Sequence, residues 1–229
     1  MSEKRRQRLP RQVREQQIID AAVRVFSQRG YHAAVVDEIS ELAGISKPMV
    51  YLYLGSKEGL FVACVRREGE RLVTAFREAA VTGGTPEERL WAGLTAFFRF
   101  VTEHRDSWVV LHRQAAELGE PITAELALMR RSVSAEVAAL LRDGIALRAD
   151  SGLGDHDAEF ATHALVGAAD ALTDWLAQHP GETPESVTLR MMNMIWVGMR
   201  DVLNGNTWTP PATTDGPPGR ASAPDDEAG

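Results

Sequence analysis

Residues 35–60 read VVDEISELAGISKPMVYLYLGSKEGL, and they carry the clearest structural pattern in the chain. Ile39, Leu42 and Ala43 are spaced to lie on one side of a short helix. Gly44 follows them and provides the left-handed backbone position that ends a helix at little energetic cost. The stretch therefore predicts two short helices joined by a glycine turn.

The second helix is predicted to begin after Ser46, whose side chain can cap it by accepting hydrogen bonds from free backbone N–H groups. Val50 and Leu54 lie four residues apart and give this helix an inward side. The residues left to face outward are Lys47, Met49, Tyr51 and Tyr53, with Pro48 in the first turn. A cation and phenols on an exposed helix suit a polyanion, although paired helices around a glycine corner also occur without such a role.

Helices are predicted on both sides of this pair. Residues 14–29 carry apolar residues at helical spacing, and Gly30 and Tyr31 then break the pattern. Downstream, Ser56 precedes a helix whose first turn carries Lys57, where exposed N–H groups and a positive charge suit a backbone phosphate. The N-terminal part is therefore a three-helix unit with a fourth helix leading out of it.

At these residues the sequence resembles the TetR family of bacterial transcriptional repressors. The segments that carry the resemblance are IIDAAVRVFSQRGY at 18–31, DEISELAGISK at 37–47, YLYL at 51–54 and GSKEGLF at 55–61. The resemblance implies that Lys47, Pro48 and Met49 lie at the major groove, and that Tyr51, Tyr53 and Lys57 contact the DNA backbone. It also implies a homodimer that reads a palindromic double-stranded operator, one recognition helix for each half.

The sequence departs from the family pattern at two places. The family usually has a threonine just before the first helix of the motif, where it can cap the helix and touch phosphate, and this chain has Ala34 and Val35. Leu54 replaces the usual aromatic residue, a change expected to preserve burial better than ring packing.

Charge is unevenly distributed along the chain. The formal net charge is −7, which by itself disfavours binding to a polyanion. Residues 1–57 contain ten basic and six acidic residues, a net charge of +4, so the remaining residues carry −11. Six of the ten cations precede residue 15, which fits either a flexible basic arm on DNA or a solvated tail. Only the N-terminal part of the chain suits phosphate.

Composition and glycine–proline breaks predict an all-α protein that works in the cytoplasm. The chain has 229 residues, of which 44% are hydrophobic, and no apolar run approaches the roughly 20 residues that cross a bilayer. The single Cys64 excludes an intrachain disulfide and is expected to be buried. Beyond the helix-turn-helix unit, helical segments are predicted near 57–80, 86–117, 122–149, 155–179 and 185–203. The predicted parts are a flexible basic arm (1–14), a helix-turn-helix DNA-binding domain (15–61), a helical effector-binding and dimerisation domain (62–204) and a disordered tail (205–229).

An aromatic-rich segment near residues 86–117 predicts a site for a small hydrophobic or amphipathic effector. It carries more bulk than one helix face can bury, and aromatic-lined clefts between helices are common ligand sites. The candidate effector-binding residues are Trp91, Phe97, Phe98, Trp108, Leu111 and His112. A solid hydrophobic core is the alternative interpretation.

The last two helices combine small and apolar residues, which favours close pairing with their copies in a second chain. The candidate dimerisation residues are Leu165, Ala168, Leu172, Met191, Ile195 and Gly198. His156, Glu159 and His163 share one helix face, but a fourth metal ligand is not evident and we predict neither a metal site nor a cofactor. Motifs of hydrolases, nucleotide-binding loops and metalloproteases are absent, so no catalytic residues are predicted. The predicted function is a dimeric transcriptional repressor released by an effector, with an activator or an effector-independent DNA-binding protein as alternatives.

Overall fold

The structure, a computed structural model, describes residues 10–81, 84–114, 118–147 and 153–203. These residues form helices joined by short loops, and no strand occurs among them. The helices in chain order are α1 (Arg11–Ala33), α2 (Val36–Ala43), α3 (Lys47–Leu54), α4 (Lys57–Val81), α5 (Pro86–Glu103), α6 (Arg105–Trp108), a π-helical segment (Val109–Gln114), α7 (Ile122–Ala146), α8 (Asp155–Gln178) and α9 (Pro184–Leu203). The predicted all-α fold is confirmed.

The N-terminal unit consists of α1, α2 and α3, with the start of α4 packed against α1. α1 begins at Arg11, so the last four residues of the predicted flexible arm are helical, while residues 1–9 lie outside the described range. The helix accommodates Pro10 because it stands at the N-cap, where a missing N–H costs nothing. Gly30 has φ 76° and interrupts the helical backbone inside α1, where the sequence pattern also breaks.

The turn between α2 and α3 has the predicted glycine, but its flanking residues differ from expectation in two ways. Gly44 adopts φ 66° and ψ 32°, the left-handed conformation. Ser46 is the N-cap of α3, yet its backbone carbonyl rather than its hydroxyl accepts hydrogen bonds from the N–H groups of Met49 and Val50, so the side-chain cap was wrongly predicted. Leu42 was expected to be buried, but it is 49% exposed because α2 is only eight residues long and packs mainly through Val36 and Ile39.

α4 joins the two halves of the chain. Its N-terminus is capped by Ser56, whose Oγ accepts a hydrogen bond of 2.9 Å from the N–H of Gly59. Phe61, in its first turns, packs edge-on against Phe26 and Tyr31 of α1, with ring centroids 4.9 Å and 5.1 Å apart. Further along, α4 packs against α5 and α7. A single helix therefore belongs to the core of both halves.

The second half contains α5 to α9, and its boundaries agree with the predicted segments except between residues 86 and 117. There the structure has a break at His104, whose φ and ψ of −117° and 52° are not helical, followed by α6 and the π-helical segment. α6 and the π-helical segment contact α1 of the N-terminal unit. The predicted tail, residues 205–229, lies outside the described range.

Candidate nucleic-acid interface and ligand cavity

The inward side of α3 is set by Val50, which is buried, and by Leu54, which is half-buried. At 3.6 residues per turn, a residue two positions from either of them lies roughly 160° around the helix. The exposed residues of the helix are Lys47, Pro48, Tyr51 and Leu52, and we call these four the outer face of α3. Met49 and Tyr53, which were predicted to face outward, are half-buried along its edge.

Leu52 is the residue of this face that the sequence interpretation missed. Its side chain is 71% exposed, more than any other large apolar residue of the N-terminal unit among those described. The signal was available, because Leu52 lies two residues after Val50 and two before Leu54, both of which were assigned inward. Leu52 was not among the residues predicted to face DNA.

Lys47 is held by a carboxylate of the preceding helix. Its Nζ lies 2.9 Å from Oδ2 of Asp37, and both side chains are substantially exposed. The hydrogen bond that Lys47 donates to Asp37, together with the negative charge of Asp37, raises the pKa of Lys47. Exposed ion pairs of this kind contribute little to stability, so a phosphate or a base edge can compete for the ammonium.

Lys57 points toward the end of α1. Its Nζ donates a hydrogen bond of 3.1 Å to the carbonyl of His32 and lies 4.9 Å from the centroid of the Tyr31 ring. Partial burial lowers the pKa of Lys57. An ammonium has three donors, so a backbone phosphate can still bind to it. The predicted phosphate contact of Lys57 remains a prediction.

Two further features concern the edges of the candidate interface. The guanidinium of Arg11 lies 5.4 Å from the centroid of the Tyr53 ring, which connects the start of α1 to the end of α3. Val35, at the N-cap of α2, is exposed and has an apolar side chain where the family usually has a threonine hydroxyl. The Val35 side chain cannot donate a hydrogen bond to a phosphate.

A cavity of about 40 Å³ lies inside the second half of the chain. Its walls come from α4, α5, α6, the π-helical segment, α7 and α8. Four of the six predicted effector-binding residues line it, namely Phe97, Trp108, Leu111 and His112. Phe98 is fully buried behind this layer and Trp91 is half-buried, and neither is part of the wall in the described residues.

α7 and α8 contribute walls that were not predicted from the sequence. Met129, Val133 and Val137 line the cavity at a spacing of four residues on α7, and Leu165 and Val166 face them from α8. The four-residue spacing was a visible signal of one helix face, but nothing local indicated that this face would meet the aromatic cluster.

Three polar side chains border the cavity. The imidazole of His112 stacks on Trp108 with a centroid distance of 4.7 Å, and its Nδ1 is buried without a hydrogen-bond partner among the described residues. Arg130 and Asp170 form an ion pair of 2.8 Å between α7 and α8. The same pair also lines an open groove between α7 and α8, so it stands between the cavity and the solvent.

The predicted dimerisation residues fall into two groups. Leu165 and Met191 are buried in the core of the chain itself, which corrects the expectation that they are available to a partner. Ala168, Leu172 and Ile195 are half-buried, and the surroundings of Gly198 lie outside what the structure describes. Other apolar side chains of α8 and α9 are strongly exposed: Phe160, Leu189 and Met194.

Other reactive groups do not form a site in the described residues. His163 Nδ1 lies 2.9 Å from the backbone carbonyl of Glu159, and no group of three or more His, Cys, Asp or Glu side chains there could hold a metal ion. Cys64 is fully buried, and burial raises the pKa of its thiol. None of the helices in the described ranges is both long and apolar enough to cross a membrane.

Comparison with known proteins matches both halves of the chain. The family described as bacterial regulatory proteins, tetR family, matches residues 18–64, and the family described as tetracyclin repressor-like, C-terminal domain, matches residues 86–198. A curated relative, the HTH-type transcriptional activator FasR of Mycolicibacterium smegmatis, is 30% identical over 200 residues, which cover 87% of this chain and 89% of FasR. The chain belongs to the TetR family. It is therefore a helix-turn-helix transcriptional regulator.

Solved structures agree with this assignment. A TetR-like transcriptional regulator from Rhodococcus sp. RHA1 is 40% identical, with a TM-score of 0.69, and the match covers 84% of this chain and 99% of that one. The transcriptional regulator FadR from Bacillus subtilis, solved in complex with stearoyl-CoA, has a TM-score of 0.70 at 20% identity, covering 79% and 96% of the two chains. The second likeness concerns the fold alone.

The TetR family match also explains the position of α4. The N-terminal family match ends at residue 64, inside α4, and the C-terminal match begins at residue 86, the first residue of α5. The helix that connects the two matched regions is the one whose two ends pack against different halves of the chain, within one continuous hydrophobic core. In this TetR-family regulator, α4 is thus the direct covalent and packing link between the helix-turn-helix unit and the cavity.

Proposed function

We propose that this regulator is a homodimer that binds a palindromic double-stranded operator through α3 of each copy, and that a small hydrophobic or amphipathic effector in the cavity changes its affinity for DNA. The observation that carries the proposal is α4, which starts at the helix-turn-helix unit and lines the cavity with Leu72 and Phe76. A displacement of those side chains by a ligand moves the helix on which the DNA-binding unit is packed.

The outer face of α3 is the proposed reading surface. Lys47 and Pro48 stand at its N-terminal end, the end that reaches base edges in helix-turn-helix proteins. We propose that the DNA backbone is contacted by Tyr51, Tyr53 and Lys57, and the edge of the major groove by Met49. Tyr51 is already exposed. The half-buried Met49 and Tyr53, and Lys57 with its hydrogen bond to His32, need only small rotamer changes to reach DNA. The positive N-terminal part and the acidic remainder orient the chain with α3 toward the phosphates.

The effector site is proposed to open when it is occupied. A cavity of about 40 Å³ has room for only a few water molecules, whereas pockets for small molecules measure roughly 300–1,000 Å³. Binding therefore requires the walls to separate, and a ligand that binds the separated state more tightly shifts the population toward it. The unpartnered Nδ1 of His112 favours a ligand that carries a hydrogen-bonding group among its apolar atoms.

Two routes connect the cavity to α1. On α4, Arg67 Nη1 lies 2.6 Å from Oδ1 of Asp20, which fixes α4 against α1 by an ion pair. The second route is the segment from α6 into the π-helical turn, which carries Trp108, Leu111 and His112 on the cavity wall and contacts α1. Movement of either wall changes the position of α1 relative to the helices that pack against it. In a dimer this also changes the distance between the two copies of α3.

The dimer surface is proposed to be the exposed apolar face of α8 and α9. Phe160 is 75% exposed and Met194 is 81% exposed in the single chain, an arrangement typical of a surface that another chain covers. Met194→Asp should convert the dimer into a monomer in light scattering, whereas Leu128→Asp, an exposed apolar residue on α7, should not. If the Met194→Asp protein stays dimeric, the dimer interface lies on another surface of the chain.

Repression is the proposed direction of regulation, with activation as the second candidate because the relative FasR is named an activator. The same DNA-binding cycle serves either role, depending on whether the operator overlaps the promoter. A regulator that binds chromosomal DNA works in the cytoplasm, so the predicted location is part of the proposal.

The test is a DNA titration followed by an effector titration. The purified protein is titrated onto DNA from upstream of its own gene and onto a scrambled duplex at several salt concentrations, since phosphate contacts make affinity salt-dependent. Equal binding to both duplexes would refute sequence-specific binding to an operator in the upstream DNA. Stearoyl-CoA, stearate and coenzyme A are then added to the operator complex. A change in affinity with the acyl compounds and not with coenzyme A supports an apolar effector, and no change with any of them favours effector-independent binding.

A further inference from the structure

We propose that Leu52 determines operator specificity by contacting the C5 methyl group of a thymine in each half-site. The inference rests on the proposed function, in that α3 must lie in the major groove. It adds a residue and a base preference that the site assignment so far does not contain.

The first argument is the position of Leu52. It lies four residues after Pro48 on α3, so the two side chains share one side of the helix, and it lies roughly 160° away from both Val50 and Leu54. Because Val50 is buried against the rest of the unit, Leu52 is directed away from it. A duplex that meets the outer face of α3 must therefore meet Leu52.

The second argument is its exposure. The side chain of Leu52 is 71% exposed. The helix has only eight residues, and its inward positions are already occupied by Val50 and Leu54. Such an apolar side chain gains nothing from water and cannot be relocated into the core by a rotamer change. Covering it with another molecule is favourable in proportion to the apolar area removed from water.

The third argument is chemical. Leucine has no donor or acceptor, so it cannot read the hydrogen-bonding pattern of a base edge. Thymine displays an apolar methyl group in the major groove, and the other three bases display only donors, acceptors and ring carbons there. An exposed leucine on a reading helix can thus discriminate thymine from the other bases by contact with that methyl group.

The experiment removes the methyl group from the DNA and the side chain from the protein in a double-mutant cycle. The operator is first located by footprinting, and each thymine of the half-sites is then replaced by deoxyuridine, which lacks only the methyl. Dissociation constants are measured for the wild-type protein, for Leu52→Ala, for Leu52→Met and for Leu128→Ala, whose leucine is 52% exposed on α7.

At one thymine or more, loss of the methyl should weaken wild-type binding about fourfold for each half-site, as expected for about one methylene-sized group withdrawn from apolar contact. Leu52→Ala should bind less tightly than wild type and should be insensitive to deoxyuridine at the same positions. Leu52→Met, which keeps an apolar side chain, and the control Leu128→Ala should retain the wild-type penalty.

Several results would overturn the inference while leaving the proposed function intact. These are a wild-type protein that binds its operator specifically but tolerates deoxyuridine everywhere, a half-site without thymine, and a Leu52→Ala protein that keeps the same deoxyuridine penalty. A wild-type protein with no preference for the operator over scrambled DNA would refute the proposed function instead.

Discussion

Gly93 of α5 faces the ring of Phe76 on α4, and replacing it with alanine tests whether the cavity is the effector site. A Cβ atom at Gly93 would lie 2.7 Å, 2.8 Å and 3.1 Å from Cζ, Cε2 and Cε1 of Phe76. Carbon atoms are at rest about 3.5–4.0 Å apart, so the ring must retreat by roughly 0.8 Å or more. Phe76 lines the cavity, which offers the space for this movement. Gly93→Ala should therefore make the cavity smaller, so that a ligand must push the ring back toward the new Cβ atom.

The expected change in stability is small because two effects oppose each other. Overpacking of a core costs about 1–3 kcal/mol, and replacing a helical glycine with alanine returns about 1 kcal/mol through helix propensity. The free energy of unfolding should fall by about 0–2 kcal/mol, which lowers the melting temperature by at most about 8 °C in a chain of this size. In a Phe76→Leu background the ring is gone, so the same substitution should raise stability by up to about 1 kcal/mol.

The assay compares wild type, Gly93→Ala, Phe76→Leu and the double variant by thermal unfolding and by operator binding, with and without the acyl compound that changes the operator affinity of the wild type. Gly93→Ala should bind the operator within about twofold of wild type, because α3 is untouched. Its response should need at least about tenfold more of that compound, since a ligand that fills the cavity pushes the Phe76 ring back against the new Cβ atom, at a cost of about 1.4 kcal/mol or more. Unchanged sensitivity to that compound, or an equal loss of stability in the Phe76→Leu background, would refute the reasoning.

Two other substitutions probe the connection between the halves and the reading surface. Glu68 is fully buried and forms ion pairs with Arg67 and, at 2.9 Å, with Arg71. Glu68→Ala leaves both cations without this partner, so the free energy of unfolding measured in urea should fall by about 3–5 kcal/mol. A loss below about 1 kcal/mol would contradict a stabilising role for these ion pairs. Asp37→Ala releases Lys47 from its ion pair and removes a negative charge beside the duplex. Operator affinity at low salt should therefore rise, and the slope of log affinity against log salt concentration should steepen by about one. Weaker binding would mean that Asp37 positions Lys47.

The fold was predictable where local sequence decides the backbone. Gly44 and Gly55 both adopt positive φ, and the long helices end near the glycine and proline breaks. The interruption at His104 contains neither residue, and the π-helical turn that follows depends on how Trp108 and Leu111 pack between α1 and the cavity. Tertiary packing of that kind leaves no periodic signal in the segment itself.

The candidate site was predictable only on the side that its own segment contributes. Phe97 and Trp108 were found because aromatic bulk in one segment exceeds what one helix face can bury, but the facing wall, with Val133 and Arg130, comes from α7. The dimerisation residues show the same limit. Leu165 and Met191 were predicted from the apolar spacing of α8 and α9, and the chain buries both of them in its own core. Apolar spacing identifies a buried face without saying which chain buries it.

In the described part of the chain, side chains lack a partner of matching chemistry at each of the three sites proposed to bind another molecule: the outer face of α3, the cavity, and the exposed face of α8 and α9. Leu52 presents an apolar group to water on α3, His112 has a buried Nδ1 without a hydrogen bond among the described residues, and Phe160 and Met194 are exposed on α8 and α9. Each of these side chains is less stable in water or in the apolar interior than it would be with a partner. In natural proteins such unfavourable positions are found mainly at functional sites. The missing partners differ in kind: a base methyl, a polar atom on an apolar ligand and a second apolar surface. A regulator that binds DNA, an effector and its own copy would satisfy all three at once, which a protein with only one of these partners could not do.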